Sequence, residues 1–99
     1  MKIEIRQIEH AEEKQIICRA ILEALPEWFG IPEAREEYIR ESADRLFFAA
    51  MDGEKPVGFL YLKETGRDTV ELYAMGVLKP RHRTGVGRAL VEAARRAAR

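Results

Sequence analysis

The chain has 99 residues, 46% of them hydrophobic and 34% charged, and its 17 basic side chains balance 17 acidic ones. That composition fits one small globular domain and excludes a disordered chain. The longest apolar run, LFFAAM at 46–51, falls far short of the ~20 residues that span a bilayer, which excludes a transmembrane helix.

The chain opens on KIEIRQI, residues 2–8, where Ile3 and Ile5 alternate with charged neighbours and predict a half-buried strand. No secretory apolar segment is visible there, and the single Cys18 excludes an internal disulfide, so a reducing, cytoplasmic setting is expected. From 11 to 25, Ile17, Ala20, Ile21, Ala24 and Leu25 recur at three and four and predict one stripe of a helix. The stretch PEWFGIP, 26–32, reads as an interruption, with Trp28 and Phe29 as a lid on the core. Pro32 suits the first position of a second helix, 32–44, expected to lie on the surface and move readily, with Ala34, Tyr38 and Ile39 as its stripe. Three strands follow, RLFFAAM, PVGFLYLKE and TVELYAMGV, separated by the turns DGEK and TGRD, which forces an antiparallel meander. The middle strand is apolar on both alternating sets, Val57, Phe59 and Tyr61 against Leu60 and Leu62, so both sheet faces should be covered. The final helix, 85–99, is the cover for the second face through Val86, Leu90, Ala94 and Ala97, with Glu92 paired to Arg96 on its outer side. The expected fold is thus mixed α/β, in the order β-α-α-β-β-β-α, and 1–99 forms a single domain.

The zero net charge hides an asymmetry. Residues 79–99 carry Lys79, Arg81, Arg83, Arg88, Arg95, Arg96 and Arg99 against Glu92 alone, and the remaining residues carry the matching acidic excess. A solvated helix face accounts for the helical arginines. Lys79, Arg81, His82 and Arg83 instead crowd a loop, which points to an anionic ligand.

A strand that feeds a glycine loop and opens a helix is a natural anion site, because the first-turn N–H groups are unpaired and the helix dipole favours negative charge. Gly85 and Gly87 would let a phosphate approach the backbone. The loop is not a Walker A sequence, and Leu90 stands where a dinucleotide fingerprint needs its third glycine. His10, Cys18 and His82 have no metal-site spacing, so no metal is expected.

The segment AMGVLKPRHRTGVGRALV, preceded by a β meander, resembles the acyl-CoA-binding segment of the GNAT N-acetyltransferase superfamily. His82, Arg83, Thr84, Gly85, Val86 and Gly87 fall on the family's six loop positions, with His82 where Arg or Gln is usual. The element order is that of the family's first half. Family members run about half as long again, adding a strand beside the Val77 strand and a helix that often bears a Tyr, so the chain reads as a partial acetyltransferase domain. The resemblance implies an acetyl-CoA-dependent transfer to a primary amine. It places the diphosphate on the amides of Arg83 to Arg88, with His82 and Thr84 in the loop. It places the pantetheine arm along Met75, Gly76 and Val77, where Gly76 suits an outward bulge of the strand, and the general base at Glu71, sharing a face with Tyr73 and Met75. His82 would make the pyrophosphate contact sensitive to pH.

Two other classes remain in view. One is a truncated, inactive CoA-binding half that self-associates as a homodimer or larger assembly through the open edge of the Val77 strand. The other, disfavoured by the lack of stacking aromatics beside the charges, is a nucleic-acid-binding module. The acidic bias of 9–44 would suit a cationic amine.

Overall fold

A computed structural model describes residues 3–66, 69–82 and 84–97, and the side chains of Trp28, Phe29, Thr65 and Thr69 lie outside that description. The lid reading of Trp28 and Phe29 therefore falls outside it, as do Arg83 and Arg99. The elements are β1 (Ile3–Ile8), α1 (Ala11–Glu23), α2 (Pro26–Phe29), α3 (Pro32–Ser42), β2 (Leu46–Asp52), β3 (Lys55–Gly66), β4 (Thr69–Val77), a 3₁₀ turn at Lys79–Arg81 and α4 (Val86–Ala97). Among the described residues no helix is long and apolar enough to cross a membrane.

The strands form an antiparallel meander in the order β1-β2-β3-β4, as the short connections require. The β2–β3 hairpin closes on Gly53 at φ +63°, a left-handed position that glycine adopts without strain. Each face of the sheet carries its own core. Phe47, Ala49, Met51, Phe59, Tyr61 and Ala74 pack under α1 and α3, while Phe48, Ala50, Val57, Leu60 and Leu62 pack under Val86, Leu90 and Ala94 of α4. Phe47, Phe59 and Tyr61 stack in a row with centroids 5.6–6.0 Å apart. The buried Tyr61 hydroxyl donates to the Tyr38 carbonyl at 2.8 Å, which ties α3 to the sheet.

Of the three register shifts, one lies between Glu64 and Gly66 beside the β3–β4 turn, and the other two break the expected alternation. Ala50 pairs with Gly58 but Met51 with Pro56, so Val57 is the extra residue and joins Leu60 and Leu62 instead of Phe59 and Tyr61. Tyr61 pairs with Ala74 but Leu62 with Leu72, which makes Tyr73 the extra residue of β4. Tyr73 turns toward α3, with its ring 5.9 Å from Tyr38 and 5.5 Å from Tyr61.

The helices differ from expectation in four respects. Pro26 does not merely interrupt: it takes the first position of the one-turn helix α2, where its missing N–H has no ladder partner to lose. The buried stripe of α1 is Lys14, Ile17, Cys18, Ile21 and Leu22, continued by Leu25, while Ala20 and Ala24 are exposed. The helix is rotated so that the larger side chains are buried, since burial scales with apolar area. Third, α3 is anchored, not loosely laid. Ile39 and Ser42 are buried, and Lys14 Nζ donates to the carbonyls of Ala43 (3.4 Å) and Arg45 (2.7 Å) just beyond the end of α3. Arg19 holds Glu36 through paired bonds of 2.6 and 2.8 Å. On α4, Glu92 meets Arg95 at 3.3 Å, three residues away, instead of Arg96.

The Arg19 bonds hold the Glu36 carboxyl below its usual range. The unfolded chain therefore takes up this proton near the ordinary pKa of about 4.3, before the folded chain does, and acid favours unfolding there. Thermal unfolding of wild type and Glu36→Gln should differ at pH 7, with wild type higher. The gap should close as pH falls through the depressed folded value.

Candidate functional site

The residues that link β4 to α4 form a tightly bonded turn. Leu78 donates its amide to the Val57 carbonyl at 2.9 Å, so the chain leaves the sheet at the β3 bulge. The amide of Arg81 then returns to Leu78 O (2.8 Å), that of His82 to Lys79 O (3.0 Å) and that of Thr84 to Arg81 O (3.3 Å). The Thr84 hydroxyl donates to the same Arg81 carbonyl. Gly85 follows at φ +89°, where a side chain would be strained although a Cβ would meet nothing within 4 Å.

The ladder of α4 begins with Ala89 N to Gly85 O at 3.0 Å. The amides of Val86, Gly87 and Arg88 therefore precede the ladder and carry the positive end of the helix dipole. A Cβ on Gly87 would approach only Val77 Cγ2, at 4.0 Å, so the space above these amides is open. Buried Val86, Leu90 and Ala94 fix the helix to the sheet beneath. Exposed Arg88 lines a groove with Gly85, Glu92 and Arg96 on the side of α4 toward Ile5. A second, apolar groove of about 380 Å³ lies on the β4 side, between Leu60, Leu62, Val70 and Leu72 and the helix residues Val91 and Ala94.

The other expected site residues divide into those near this turn and those elsewhere. Met75, Gly76 and Val77 form the last residues of β4, immediately before it. They run in regular register with Leu60, Phe59 and Gly58, so Gly76 does not form a bulge; the irregularity falls at Tyr73. Gly76 has a packing reason instead, since its Cβ would come within 3.0 Å of both Ile21 Cγ2 and Phe59 Cε1. Glu71 is exposed and stands directly opposite Lys63. It shares a face with Tyr73, over whose ring Lys63 Nζ sits at 5.3 Å, but not with Met75, which the bulge turns toward the α4 side opposite Leu60.

His82 is exposed, yet its ring bonds back to the end of β4. Its Nε2 lies 2.7 Å from the Val77 carbonyl, and because a carbonyl only accepts, Nε2 is the donor and carries a proton. The loop cations are also engaged. Lys79 is ion-paired with Glu27 of α2, and Arg81 with Asp52 at the end of β2. Sequence reasoning missed these two acids. The only signal was general, the acidic excess outside the C-terminal segment, and neither acid is near the loop in sequence. Arg83 lies outside the described residues.

Away from the turn, a groove between α1 and α3 is lined by Ile16, Arg19, Glu23 and Glu36, which largely pair with one another. Cys18 is buried, and burial pushes its thiol up to about 12, so it stays protonated and is no nucleophile. Among the described residues no group of three His, Cys, Asp or Glu side chains is placed to hold a metal.

The left-handed Gly85 generates a direct check. Gly85→Ala should lower stability by about 1–2 kcal/mol in urea unfolding, through backbone conformation alone, because no neighbour obstructs the added methyl.

Known proteins share this fold. Solved structures of similar fold include the PaiA N-acetyltransferase from Thermoplasma acidophilum in complex with coenzyme A, at 22% identity and TM-score 0.74, covering 99% of this chain and 72% of that one. An aminoglycoside 6'-acetyltransferase type Ii matches at 22% identity and TM-score 0.75, over 99% of this chain and 64% of its own. An aminoglycoside 6'-N-acetyltransferase complexed with coenzyme A matches at 20% identity and TM-score 0.76, over 96% and 54%. The chain thus spans between about half and three quarters of these proteins. No curated protein matches it in sequence. The Acetyltransferase (GNAT) family matches residues 8–99, essentially the whole chain from the end of β1 onward, and the chain belongs to that family.

Proposed function

We propose that this chain is an acetyl-CoA-dependent N-acetyltransferase domain that passes an acetyl group to a primary amine by direct attack on the thioester. The observation that carries this reading is the turn itself: β4 ends at a left-handed Gly85 that opens α4 with its first-turn amides ahead of the ladder. The diphosphate of coenzyme A would lie on the amides from Arg83 to Arg88, beside the Arg88 guanidinium. The outer edge of Met75–Val77 would pair with the pantetheine arm and orient the acyl carbonyl.

The acceptor arrives as an ammonium and has no lone pair until it loses a proton. Glu71 takes that proton, directly or through water. The amine nitrogen then bonds the acyl carbon, the C–S bond breaks, and the thiolate leaves and takes up a proton. Direct transfer needs no enzyme nucleophile, which agrees with the inert Cys18. The buried reduced Cys18 also accords with a cytoplasmic setting. Aminoglycosides, named for two of the neighbouring structures, are polycationic amines and make reasonable first acceptors to assay.

Calorimetric titration with coenzyme A and acetyl-CoA tests the reading. Binding is expected, and no heat at millimolar ligand overturns it. With an amine acceptor, Glu71→Gln should lower kcat by about 10²–10⁴-fold while leaving coenzyme A affinity near wild type.

As the alternative reading, we propose that a second copy covers the outer edge of β4 in place of the pantetheine arm. Val70, Leu72 and Met75 are 36%, 50% and 36% exposed there, and β4 pairs only with β3 among the described residues. Sedimentation should show a dimer or a larger assembly, and a monodisperse monomer refutes it.

A further inference from the structure

The geometry points to Asp52 as a positioning residue for the coenzyme A loop, acting through Arg81. This rests on the coenzyme A reading above.

Asp52 closes β2, opposite Ile3 on one side and Lys55 on the other, so the sheet fixes its backbone from both directions. Its carboxylate accepts from Arg81 Nη2, and the pair is largely sheltered, with side-chain exposures of 27% and 22%. Arg81 is in turn the hub of the loop. Its amide donates to Leu78, and its carbonyl accepts from both the amide and the hydroxyl of Thr84. Thr84 immediately precedes Gly85, and Gly85 opens α4. A continuous line of contacts thus runs from the β2–β3 hairpin through Asp52, Arg81 and Thr84 to the amides that face the ligand. A second fastening, Lys79 to Glu27, holds the start of the same turn against α2.

Eight residues separate Val77 from Val86. A loop of that length left free would have to be ordered when ligand binds, at a cost in affinity; held in place beforehand, it binds with that cost removed. Two of the loop cations that the sequence offers to phosphate, Lys79 and Arg81, are therefore ion-paired within the protein. Arg81 fixes the position of the anion site and does not itself supply the anion's partner.

This assignment differs in its consequences from direct phosphate contact by Arg81. If Arg81 binds phosphate, removing Asp52 frees a guanidinium and deletes a negative charge, so coenzyme A affinity stays the same or rises. If Arg81 is a fastening, removing Asp52 weakens binding. Calorimetric titration of coenzyme A should show Asp52→Asn and Arg81→Ala each weakening affinity by roughly two- to thirtyfold. The double variant should be no worse than either single one, because both remove the same link. Asp52→Glu should recover most of the loss. Unchanged or tighter binding by Asp52→Asn overturns the proposal, as does full additivity.

Hydrogen exchange on the ligand-free protein supplies an arm that does not depend on coenzyme A. Asp52→Asn should speed exchange at the bonded amides of Arg81, His82 and Thr84 while leaving the amides of α1 and the centre of β3 protected. Exchange at the loop amides equal to wild type overturns the proposal. Global loss of protection also overturns it, since Asp52 would then serve the whole fold and not this loop. Failure of the wild-type protein to bind coenzyme A refutes the acetyltransferase reading alone, and the exchange experiment still decides whether Asp52 fixes the loop.

Discussion

The first turn of α4 reaches the end of β4 only because Gly58 has no side chain. A Cβ at that position would lie 3.2 Å from the Gly76 carbonyl, 3.3 Å from Val86 Cγ1 and 3.4 Å from Leu90 Cδ1. Val86 and Leu90 are the first two buried contacts of α4, so this close approach sets the height of the helix above the sheet. Gly76, on the neighbouring strand, gives the same permission to α1 on the opposite face. Two helices thus clamp adjacent strands at one end of the sheet, and the first-turn amides of α4 stand at that end. An added methyl at either position would have to push its close-packed neighbours aside.

The bulges at Val57 and Tyr73 decide what each face presents. At Val57 the shift lets β3 accept Leu78 at the start of the loop, so the loop begins from a fixed point. At Tyr73 the shift sends an aromatic ring toward α3 and leaves Met75 on the α4 side. Glu71 and the end of β4 are therefore not in simple alternation. A residue count along β4 alone puts Glu71 and Met75 on one face, whereas the folded strand separates them.

Much of this architecture is legible in the sequence. Short turns dictate the meander, the doubly apolar β3 announces a two-sided core, and Val86, Leu90 and Ala94 at helical spacing mark the buried face of α4. The loop glycines are legible because Gly-x-Gly at a strand-to-helix junction has a chemical purpose. The bulges are not legible, because a strand apolar on both sets shows no break in pattern when the register slips by one. The rotation of α1 is equally hidden, since Ala20–Ala24 and Cys18–Leu22 offer overlapping stripes at the same spacing, and only packing against β3 chooses the larger pair. The roles of Lys79, Arg81 and His82 are invisible for a different reason. A cation in a loop reads as ligand-facing until the distant Glu27 and Asp52, or the Val77 carbonyl, are brought beside it.

The two margins of the sheet are unlike. At β1, exposed Glu4 and Arg6 are bonded to each other at 2.8 Å and set paired charges along the border, whereas β4 shows Val70, Leu72 and Met75. Were a second copy to add along β4, as proposed above, the β1 border with its Glu4–Arg6 pair would face outward on both sides. Such a pairing would use up the apolar border and so would disfavour further strand addition.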